Sequence, residues 1–496
     1  MDLKRFSTMD QKIVAIVGSG IGGLAAAIRL SVQGYKVKVF EKNSYPGGKL
    51  SHFERDGYNF DAGPSLFTQP EQVKELFDLC GEQMKDYFTY QKVKLACKYF
   101  FESGEIVNAY ADVDKFADEI STKLGEPKHL VLEYLETSKR TYLDIGQLFL
   151  DHTIGQILTL PFYKIWNAMK ATKLSFLHSS LNSYNKSFFT KPETAQIFNR
   201  FATYNGSNPY KAPAMLSMIP HLEQNEGTYY PMGGMISITN ALYLLALKQN
   251  VEFTFNAKVT SINLENETVS GIIVNQEEVS ADLVISNMDV YYTYKYLLAN
   301  DLKAKKIIRQ ERSSSAIIFY WGISRSFPML ELHNIFFSSD YEKEFNAIFT
   351  TKVIDDDPTI YINITSKMEY GQAPQGCENW FVMVNAPHDA GQDWEAFRYQ
   401  CRANVIRKLN RILKTDISEY IQTEDYLDPT LIDSRTSSYT GSLYGTSSNS
   451  KFAAFLRHSN KSKNIDGLYF VGGSVHPGGG IPLCLRSAKI VSELVK

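Results

Sequence analysis

The segment that decides the fold is Ile13–Gly23, which reads IVAIVGSGIGG. Its first five residues, Ile13–Val17, are apolar, as is typical of a buried parallel strand, and they lead directly into a cluster of glycines. The alanine- and leucine-rich stretch Leu24–Leu30 then predicts a helix, and Lys36–Glu41 predicts a second strand. Strand, helix and strand within about 30 residues form the βαβ unit that a dinucleotide fingerprint requires.

The glycine cluster matches the pattern GxGxxG with one additional glycine. Gly18 permits the tight turn out of the strand, Gly20 lets the backbone approach a pyrophosphate, and Gly23 allows helix and strand to pack closely. Glu41 ends the second strand, where a carboxylate binds ribose hydroxyls. The pattern predicts a dinucleotide site, either for NAD or for FAD, formed by Gly18, Gly20, Ile21, Gly22, Gly23, Glu41 and Lys42.

Further glycines after the second strand favour FAD. The segments Pro46–Lys49 (PGGK) and Asp56–Ser65 (DGYNFDAGPS) follow Glu41. An NAD domain has no use for them, whereas the ribityl chain and ring of a flavin must pass close to backbone, which glycines permit. Lys49 either pairs with phosphate or is a solvated lysine after a turn. The predicted contacts in these segments are Gly47, Gly48, Lys49, Gly63, Pro64 and Ser65.

The end of the chain, Gly467–Val495, has the pattern of a strand, a glycine turn and a helix. A flavin that accepts hydride accumulates negative charge near N1, and the N-terminus of such a helix stabilises that charge. We therefore expect the two ends of the chain to bind one FAD together. The predicted contacts here are Gly472, Gly473, Gly480, Ile481 and Pro482.

The length of 496 residues predicts two or three domains. The helix predicted at Ser237–Lys248 and the strands predicted at Val251–Phe255, Ile272–Val274 and Leu283–Ser286 indicate a return to the nucleotide-binding layer. Alternating segments at Ala316–Ile323, Thr359–Ile364 and Trp380–Asn385 predict a separate antiparallel sheet. We expect an α/β protein with an FAD-binding Rossmann-like domain (10–75, 215–295 and 430–496), a mixed-sheet substrate-binding domain (76–125 and 296–429) and a helical, membrane-facing region (126–214).

The composition of the chain argues against some classes of binding partner. Apolar residues make up 44% of the chain, and the net charge of -2 argues against a nucleic-acid partner. The five cysteines are scattered without metal-ligand spacing, so no metal is predicted and a reduced cytoplasm fits best. We see no secretory signal and no run of about 18 apolar residues, so a spanning helix is not expected.

Together with Leu468–Pro482 (LYFVGGSVHPGGGIP), these glycine segments resemble the bacterial phytoene desaturase family of carotenoid desaturases. The segments Gly206–Pro209, Gly227–Met235 and Ser286–Val290, with Val259 as a cofactor contact, follow in the family's order. Phe60–Thr68 resembles the hydroxycarotenoid 3,4-desaturase branch. The resemblance implies a fold shared with monoamine oxidases, noncovalent FAD, a carotenoid substrate and association with a membrane surface.

Desaturation takes hydrogen from unactivated carbon, so the flavin itself is the expected catalyst, with a quinone or oxygen as electron acceptor. Glu136 and Lys139 fall where related desaturases carry an acid and a basic residue; the alternative is an exposed helical salt bridge. The stretch Ile154–Leu177 mixes aromatic residues with Lys164, Lys170 and Lys173, which suits a helix in the headgroup layer or an amphipathic core helix. We expect a cytoplasmic protein bound peripherally to the inner face of the cell membrane.

Three other functions stay open. The chain could be a phytoene desaturase, or a flavin amine oxidase, which usually tethers FAD through a cysteine that Cys484 could supply. It could also be a binding protein without catalysis, like the prenyl-GTPase escort proteins that share the fold. The glycines at 47–48 and 472–480 favour flavin binding over this last alternative.

Overall fold

A computed structural model describes residues 11–161, 163, 166, 176, 179–450 and 457–495. Most of the predicted headgroup-layer helix beyond residue 161 therefore lies outside the described residues. The strands, in chain order, are β1 (Ile13–Val17), β2 (Lys36–Phe40), β3 (His52–Arg55), β4 (Tyr58–Asp61), β5 (Tyr90–Lys92), β6 (Leu95–Phe100), β7 (Ile106–Tyr110), β8 (Tyr229–Pro231), β9 (Glu252–Thr254), β10 (Val259–Glu265), β11 (Thr268–Val274), β12 (Glu277–Ser280), β13 (Leu283–Ser286), β14 (Ser315–Ile323), β15 (His333–Phe336), β16 (Ile360–Ile364), β17 (Glu378–Ala386), β18 (Ile421–Leu427) and β19 (Leu468–Phe470).

The α-helices of the described residues vary from one turn to five and a half. In chain order they are α1 (Ile21–Val32), α2 (Pro70–Leu79), α3 (Val113–Leu124), α4 (Lys128–Thr141), α5 (Gln147–Asp151), α6 (Ile154–Thr159), α7 (Leu181–Phe188), α8 (Pro192–Asn199), α9 (Ile236–Lys248), α10 (Val290–Tyr292), α11 (Asp301–Ile308), α12 (Tyr341–Asn346), α13 (Trp394–Leu413), α14 (Pro429–Thr436) and α15 (Ile481–Leu494). Turns of 3₁₀ helix (84–86, 200–205, 214–218, 365–367, 417–420 and 439–441) and π helix (142–146, 221–226, 293–297 and 347–351) join several of them.

A five-stranded parallel sheet joins both ends and the middle of the chain, in the order β19, β13, β1, β2, β9. β1 is central, and Val14–Ile16 are fully buried, as a parallel strand covered on both faces must be. Helices α1, α9 and α15 pack on one face through residues such as Leu24, Leu242 and Ala488. The antiparallel sheet β10–β11–β12 lies in the apolar cluster on the other face.

A seven-stranded sheet forms the second large layer, in the order β18, β14, β17, β16, β15, β6, β7. The three predicted strands in it, β14, β16 and β17, pair antiparallel as expected. The sheet as a whole is mixed, because β15 pairs parallel with β6 from a distant part of the chain. The three strands therefore pair as predicted, and the predicted α/β class with a mixed sheet is confirmed.

Successive side chains on these strands point to opposite faces. One face, with Ile317, Ile362 and Val382, packs against α13. The other face carries Tyr320, Tyr361 and Phe381. At its β6–β7 edge, the sheet also packs against α3, α4, α7, α8 and the 3₁₀ turns 200–205 and 214–218. Within the described residues, no helix is both long enough and apolar enough to cross a bilayer.

Candidate functional site

The glycine loop lies at the carboxyl end of β1. Gly18 has φ of +94°, and its N–H donates to the carbonyl of Phe40 at 2.8 Å, which ties the loop to β2. A Cβ on Gly23 would lie 2.2 Å from the carbonyl oxygen of Gly18, so only glycine allows α1 to begin this close to the strand. Ile21 is the first residue of α1, whose unpaired N–H groups face the loop region.

The N-terminal loop meets the C-terminal loop at Gly22 and Gly472. A Cβ on Gly22 would lie 3.2 Å from the Cα and N atoms of Gly472. Asn287, the residue after β13, sits between the loops: its Nδ2 donates to the carbonyl of Gly18 at 3.4 Å, and its Oδ1 lies 2.6 Å from a Cβ built on Gly472. We did not assign Asn287 to the site from the sequence. Its position directly after a parallel strand was the signal that could have identified it.

Glu41 is 5% exposed and faces the glycine loop. Its Oε2 accepts hydrogen bonds from the backbone N–H of Ser19 at 2.8 Å and from the Ser19 hydroxyl at 2.9 Å, and its Oε1 accepts from the N–H of Asn43 at 2.9 Å. A carboxylate accepts about four hydrogen bonds, so capacity for a ligand hydroxyl remains. The geometry gives Glu41 the additional task of holding the glycine loop in place.

The two glycine segments that follow β2 pack against the same loop. Gly47 has φ of +104° and donates its N–H to the carbonyl of Ser19 at 2.9 Å. A Cβ on Gly63 would lie 2.1 Å from the carbonyl oxygen of Lys49, so the two segments touch backbone to backbone. Gly48, Gly63, Pro64 and Ser65 are all partly exposed, and the Ser65 hydroxyl lies 2.9 Å from the hydroxyl of Tyr361.

The two predicted lysines differ in their surroundings. Lys49 donates to the carbonyl of Leu443 at 2.9 Å, and burial lowers the pKa of its ammonium to about 8, although Asp289 acts in the opposite direction. Lys42 donates to the carbonyl of Ser434 and the hydroxyl of Ser437, both at 2.9 Å, and burial lowers its pKa as well. Lys42 therefore contacts the end of α14.

Two arginines add positive charge near Lys49. Arg457 is buried and donates to the carbonyls of Tyr444 at 2.7 Å and Gly473 at 3.4 Å. Burial, with a further contribution from Arg312, lowers the pKa of Arg457 to about 10. Arg312 donates to Asp289 at 2.8 Å. This arrangement makes the region between the C-terminal loop and Lys49 attractive to an anion.

The N-terminus of α15 adjoins open space. Gly480 precedes the helix with φ of +107°, and a Cβ built on it would meet no atom within 4 Å. A Cβ on Gly473 would lie 3.3 Å from the Cα of Gly479, so the two turns of this loop stack closely. Ile481 is buried beneath the opening, and Pro482 is at the start of the helix, where its missing N–H costs no hydrogen bond.

These elements fit a dinucleotide that continues into a flat ring. Three glycine loops expose backbone toward one another, and the N-termini of α1 and α15 direct unpaired N–H groups toward the same edge of the sheet. Val259, at the start of β10, is 8% exposed and packs in the cluster that contains Val17 and Phe40.

Glu136 and Lys139 lie on the exposed face of α4. The Glu136 carboxylate accepts from Arg140 at 2.9 Å, one helical turn further along. The salt bridge that we considered joined Glu136 to Lys139, whereas the structure pairs Glu136 with Arg140.

Cys484 lies in the first turns of α15, as a buried free thiol. Its Sγ would be 4.0 Å from a Cβ on Gly473. Burial raises the pKa of this thiol to about 11, despite the opposing influence of Lys49 and Arg457. The thiol is therefore neutral at pH 7.

Comparison with known proteins gives a consistent result. The model of the family described as flavin containing amine oxidoreductase matches residues 21–496. The chain is 50% identical to a 1-hydroxycarotenoid 3,4-desaturase of Flavobacterium sp., over 98% of this chain and 99% of that protein. It is 33% identical to a 4,4'-diapolycopene oxygenase of Methylomonas sp., over 98% of both chains. A point mutant of putrescine oxidase has the same fold, with a TM-score of 0.65, 14% identity and 98% of both chains covered.

The chain belongs to the flavin-containing amine oxidoreductase family, and it is an FAD-dependent oxidoreductase. Within that class, the predicted carotenoid desaturase family and its hydroxycarotenoid 3,4-desaturase branch are confirmed. The prediction of FAD as cofactor is confirmed too, which sets aside the binding protein without catalysis.

Proposed function

We propose that this protein is a carotenoid desaturase that introduces the 3,4 double bond into a hydroxylated or monocyclic, γ-carotene-type carotenoid. The observation that carries the proposal is the 50% identity, over nearly the full length of both chains, to a 1-hydroxycarotenoid 3,4-desaturase. Phytoene desaturase and flavin amine oxidase are the alternatives that the experiments below separate from it.

In this proposal the FAD contacts are the predicted residues of the three loops. The α1 N-terminus, with Gly18, Gly20, Ile21, Gly22 and Gly23, binds the pyrophosphate, and Glu41 binds ribose while holding Ser19. The remaining proposed contacts are Lys42, Gly47, Gly48, Lys49, Gly63, Pro64, Ser65, Val259, Gly472, Gly473, Gly480, Ile481 and Pro482. Asn287 joins them, because it lies against Gly18, Gly20, Gly22 and Gly472.

Desaturation removes a hydride and a proton from neighbouring carbons, and FAD, when bound, supplies the hydride acceptor. The residues of this chain position the cofactor and the substrate and supply the electrostatic field around them. Lys49, Arg457 and the N-terminus of α15 present positive charge at the C-terminal loop, and such charge stabilises an anion that develops during reaction.

Aromatic side chains pack together next to the proposed flavin loop. Phe60 of β4 packs with Tyr320 and Phe381 of the seven-stranded sheet, all three are buried, and the partly buried Tyr361 packs against them. The Tyr320 hydroxyl donates to the carbonyl of Ala62 at 2.8 Å, next to the Gly63–Ser65 loop. A carotenoid that packs against the partly buried Tyr361 would lie beside Ser65, in a segment that we assign to the flavin.

Product analysis tests the reaction. Cells that supply either 1'-hydroxy-γ-carotene or phytoene would express the protein, and pigments would be extracted and resolved. We expect only the hydroxylated precursor to gain conjugation and shift its absorption to the red. Conversion of phytoene alone would identify a phytoene desaturase, and peroxide formation from putrescine with no carotenoid product would identify an amine oxidase.

We also propose that the protein works at the inner face of the cell membrane, from the cytoplasm, with a quinone or oxygen as electron acceptor. The support is the expected insolubility of the substrate and the lysine-rich aromatic stretch Ile154–Leu177. Vesicles of anionic lipid should sediment the protein. Substitution of Lys164, Lys170 and Lys173 by Glu should reduce sedimentation, while Lys36→Glu, on a strand of the parallel sheet, should not. Equal sedimentation of all variants would contradict this part of the proposal.

A further inference from the structure

His333 is a buried histidine on the aromatic face of the seven-stranded sheet. It begins β15, is 2% exposed, and lies opposite Asn363 of β16 in the strand register. Its ring stacks against that of Tyr361, with 6.0 Å between the centroids. The cofactor contacts proposed above do not include it.

The hydrogen bonds of His333 define which nitrogen carries the proton. Nδ1 lies 2.7 Å from the Tyr361 hydroxyl and 3.1 Å from Nδ2 of Asn363. That Asn363 nitrogen also lies 3.2 Å from the carbonyl of Leu332, which can only accept, so this end of the amide is the NH₂ donor. Nδ1 must therefore accept. Burial lowers the pKa of His333 to about 3, so the ring is neutral and its one proton is on Nε2.

The Nε2–H group has no hydrogen-bond partner among the described residues, although it is fully buried. Buried N–H groups in native proteins are nearly always paired with protein, water or ligand. A donor whose ring is held in one orientation by the hydrogen bond from Asn363 to Nδ1 and by stacking on Tyr361 is therefore prepared for an acceptor that binds later. A low pKa makes the same group unsuited to act as a base at neutral pH.

One side chain separates His333 from the proposed flavin loop. The Tyr361 hydroxyl, which contacts His333, also lies 2.9 Å from the hydroxyl of Ser65. Ser65 follows Gly63, whose backbone touches Lys49. His333 is therefore linked through Tyr361 to the loop that we assign to the flavin.

We propose that the Nε2–H of His333 donates a hydrogen bond to the hydroxyl oxygen of the carotenoid and thereby selects hydroxylated substrates. This inference rests on the proposed 3,4-desaturation. In a 1-hydroxy substrate, a single carbon separates the hydroxyl-bearing carbon from the first carbon of the 3,4 bond. A hydroxyl-binding group must therefore lie near the flavin, as His333 does.

The test compares a hydroxylated carotenoid with the same skeleton lacking the hydroxyl. For the purified holoenzyme, kcat/KM and the Kd of each carotenoid, from the perturbation of flavin absorbance, would be measured for wild type and His333→Phe. We expect His333→Phe to lower kcat/KM and affinity for the hydroxylated compound about 5- to 10-fold, the value of one neutral hydrogen bond, and to leave the other compound unaffected. His333→Gln, which can place an NH₂ near the Nε2 position, should restore most of the preference, whereas the shorter His333→Asn should not.

His221→Phe is the matched control, because His221 is also buried but both of its ring nitrogens have partners, Asn225 and Glu226. His221→Phe should change kcat/KM by the same factor for both carotenoids. An equal loss for both carotenoids in His333→Phe would overturn the inference. If His333→Phe fails to retain FAD, His333→Gln and His333→Asn are compared instead. An equal preference for the hydroxylated carotenoid in these two variants would overturn the inference.

Failure of the proposed function is recognised separately. If wild type desaturates neither compound, the reaction assignment fails. The Kd values of the two carotenoids still test whether His333 binds the hydroxyl. Tighter binding of the hydroxylated compound that is lost in His333→Phe would support the hydrogen bond, and equal binding by wild type would exclude it.

Discussion

Gly22 and Gly472, from opposite ends of the chain, approach so closely that a methyl group on the first would lie 3.2 Å from the backbone of the second. Asn287 contacts both residues from the middle of the chain. The contact exists because β1, β13 and β19 are neighbours in one parallel sheet, and their carboxyl ends share an edge. The proposed FAD site is therefore built from three segments that only the folded sheet unites.

This contact predicts that Gly22→Ala weakens FAD binding. The added methyl would displace Asn287 or the Gly472 loop, and overpacking of this kind costs about 1–3 kcal/mol. Flavin content and thermal unfolding of the purified protein would measure the effect. Gly155→Ala is the control, since its methyl would meet nothing closer than the Thr153 hydroxyl at 3.9 Å. Equal flavin content in the two variants would contradict the prediction.

Lys49 predicts a pH dependence of FAD affinity. Its pKa of about 8 means that the ammonium is charged at pH 7. A bound anion raises the pKa of a nearby ammonium, so the contribution to affinity is complete below pH 8 and is lost as the pH rises through the higher pKa of the complex. We expect Lys49→Met to weaken FAD about 10-fold at pH 7.

Fluorescence titration of the apoprotein with FAD at pH 7 and at higher pH would measure this difference. The difference in FAD affinity between wild type and Lys49→Met should become smaller as the pH rises. Lys36→Met, which removes an exposed ammonium paired with Glu252 on the same sheet, should follow wild type at each pH. A difference in FAD affinity that is independent of pH would show that Lys49 acts through packing.

The buried pair Arg312–Asp289 predicts a large loss of stability when one partner is removed. Both side chains are 5% exposed and their closest N–O distance is 2.8 Å. Arg312→Met would leave the Asp289 carboxylate buried without its partner, which costs about 3–5 kcal/mol. Urea unfolding would measure the loss in the free energy of unfolding. The control is Lys74→Met at the exposed Lys74–Asp78 pair, which should lower the free energy of unfolding by about 0–0.5 kcal/mol. Similar losses in both variants would refute the expectation.

Cys484 predicts that FAD is held without a covalent bond. The thiolate is the reactive form of cysteine, and burial raises the pKa of this thiol to about 11. Acid precipitation should therefore release a yellow supernatant, and Cys484→Ala should keep the flavin content of wild type. Flavin that stays with the precipitate in wild type and not in Cys484→Ala would establish a tether.

Local pattern alone determined much of the fold. Ile13–Val17 and Leu283–Ser286 are strands with the predicted bounds, and α1, α9 and α15 lie where the sequence predicted helices. These elements depend on apolar runs, helix periodicity and glycine turns, which act over a few residues. The glycine pattern, with the family resemblance, was enough to predict FAD and the class of enzyme.

Tertiary structure decided the features that depend on residues far apart in the chain. The parallel pairing of β6 with β15 made the second sheet mixed, and Asn287 joined the site because β13 lies next to β1. Glu41 binds Ser19, and Glu136 pairs with Arg140. The unpartnered Nε2–H of His333 depends on Tyr361, Asn363 and Leu332 together. No local pattern encodes such a group, because hydrogen bonding and burial are set by every neighbour that the fold brings into contact.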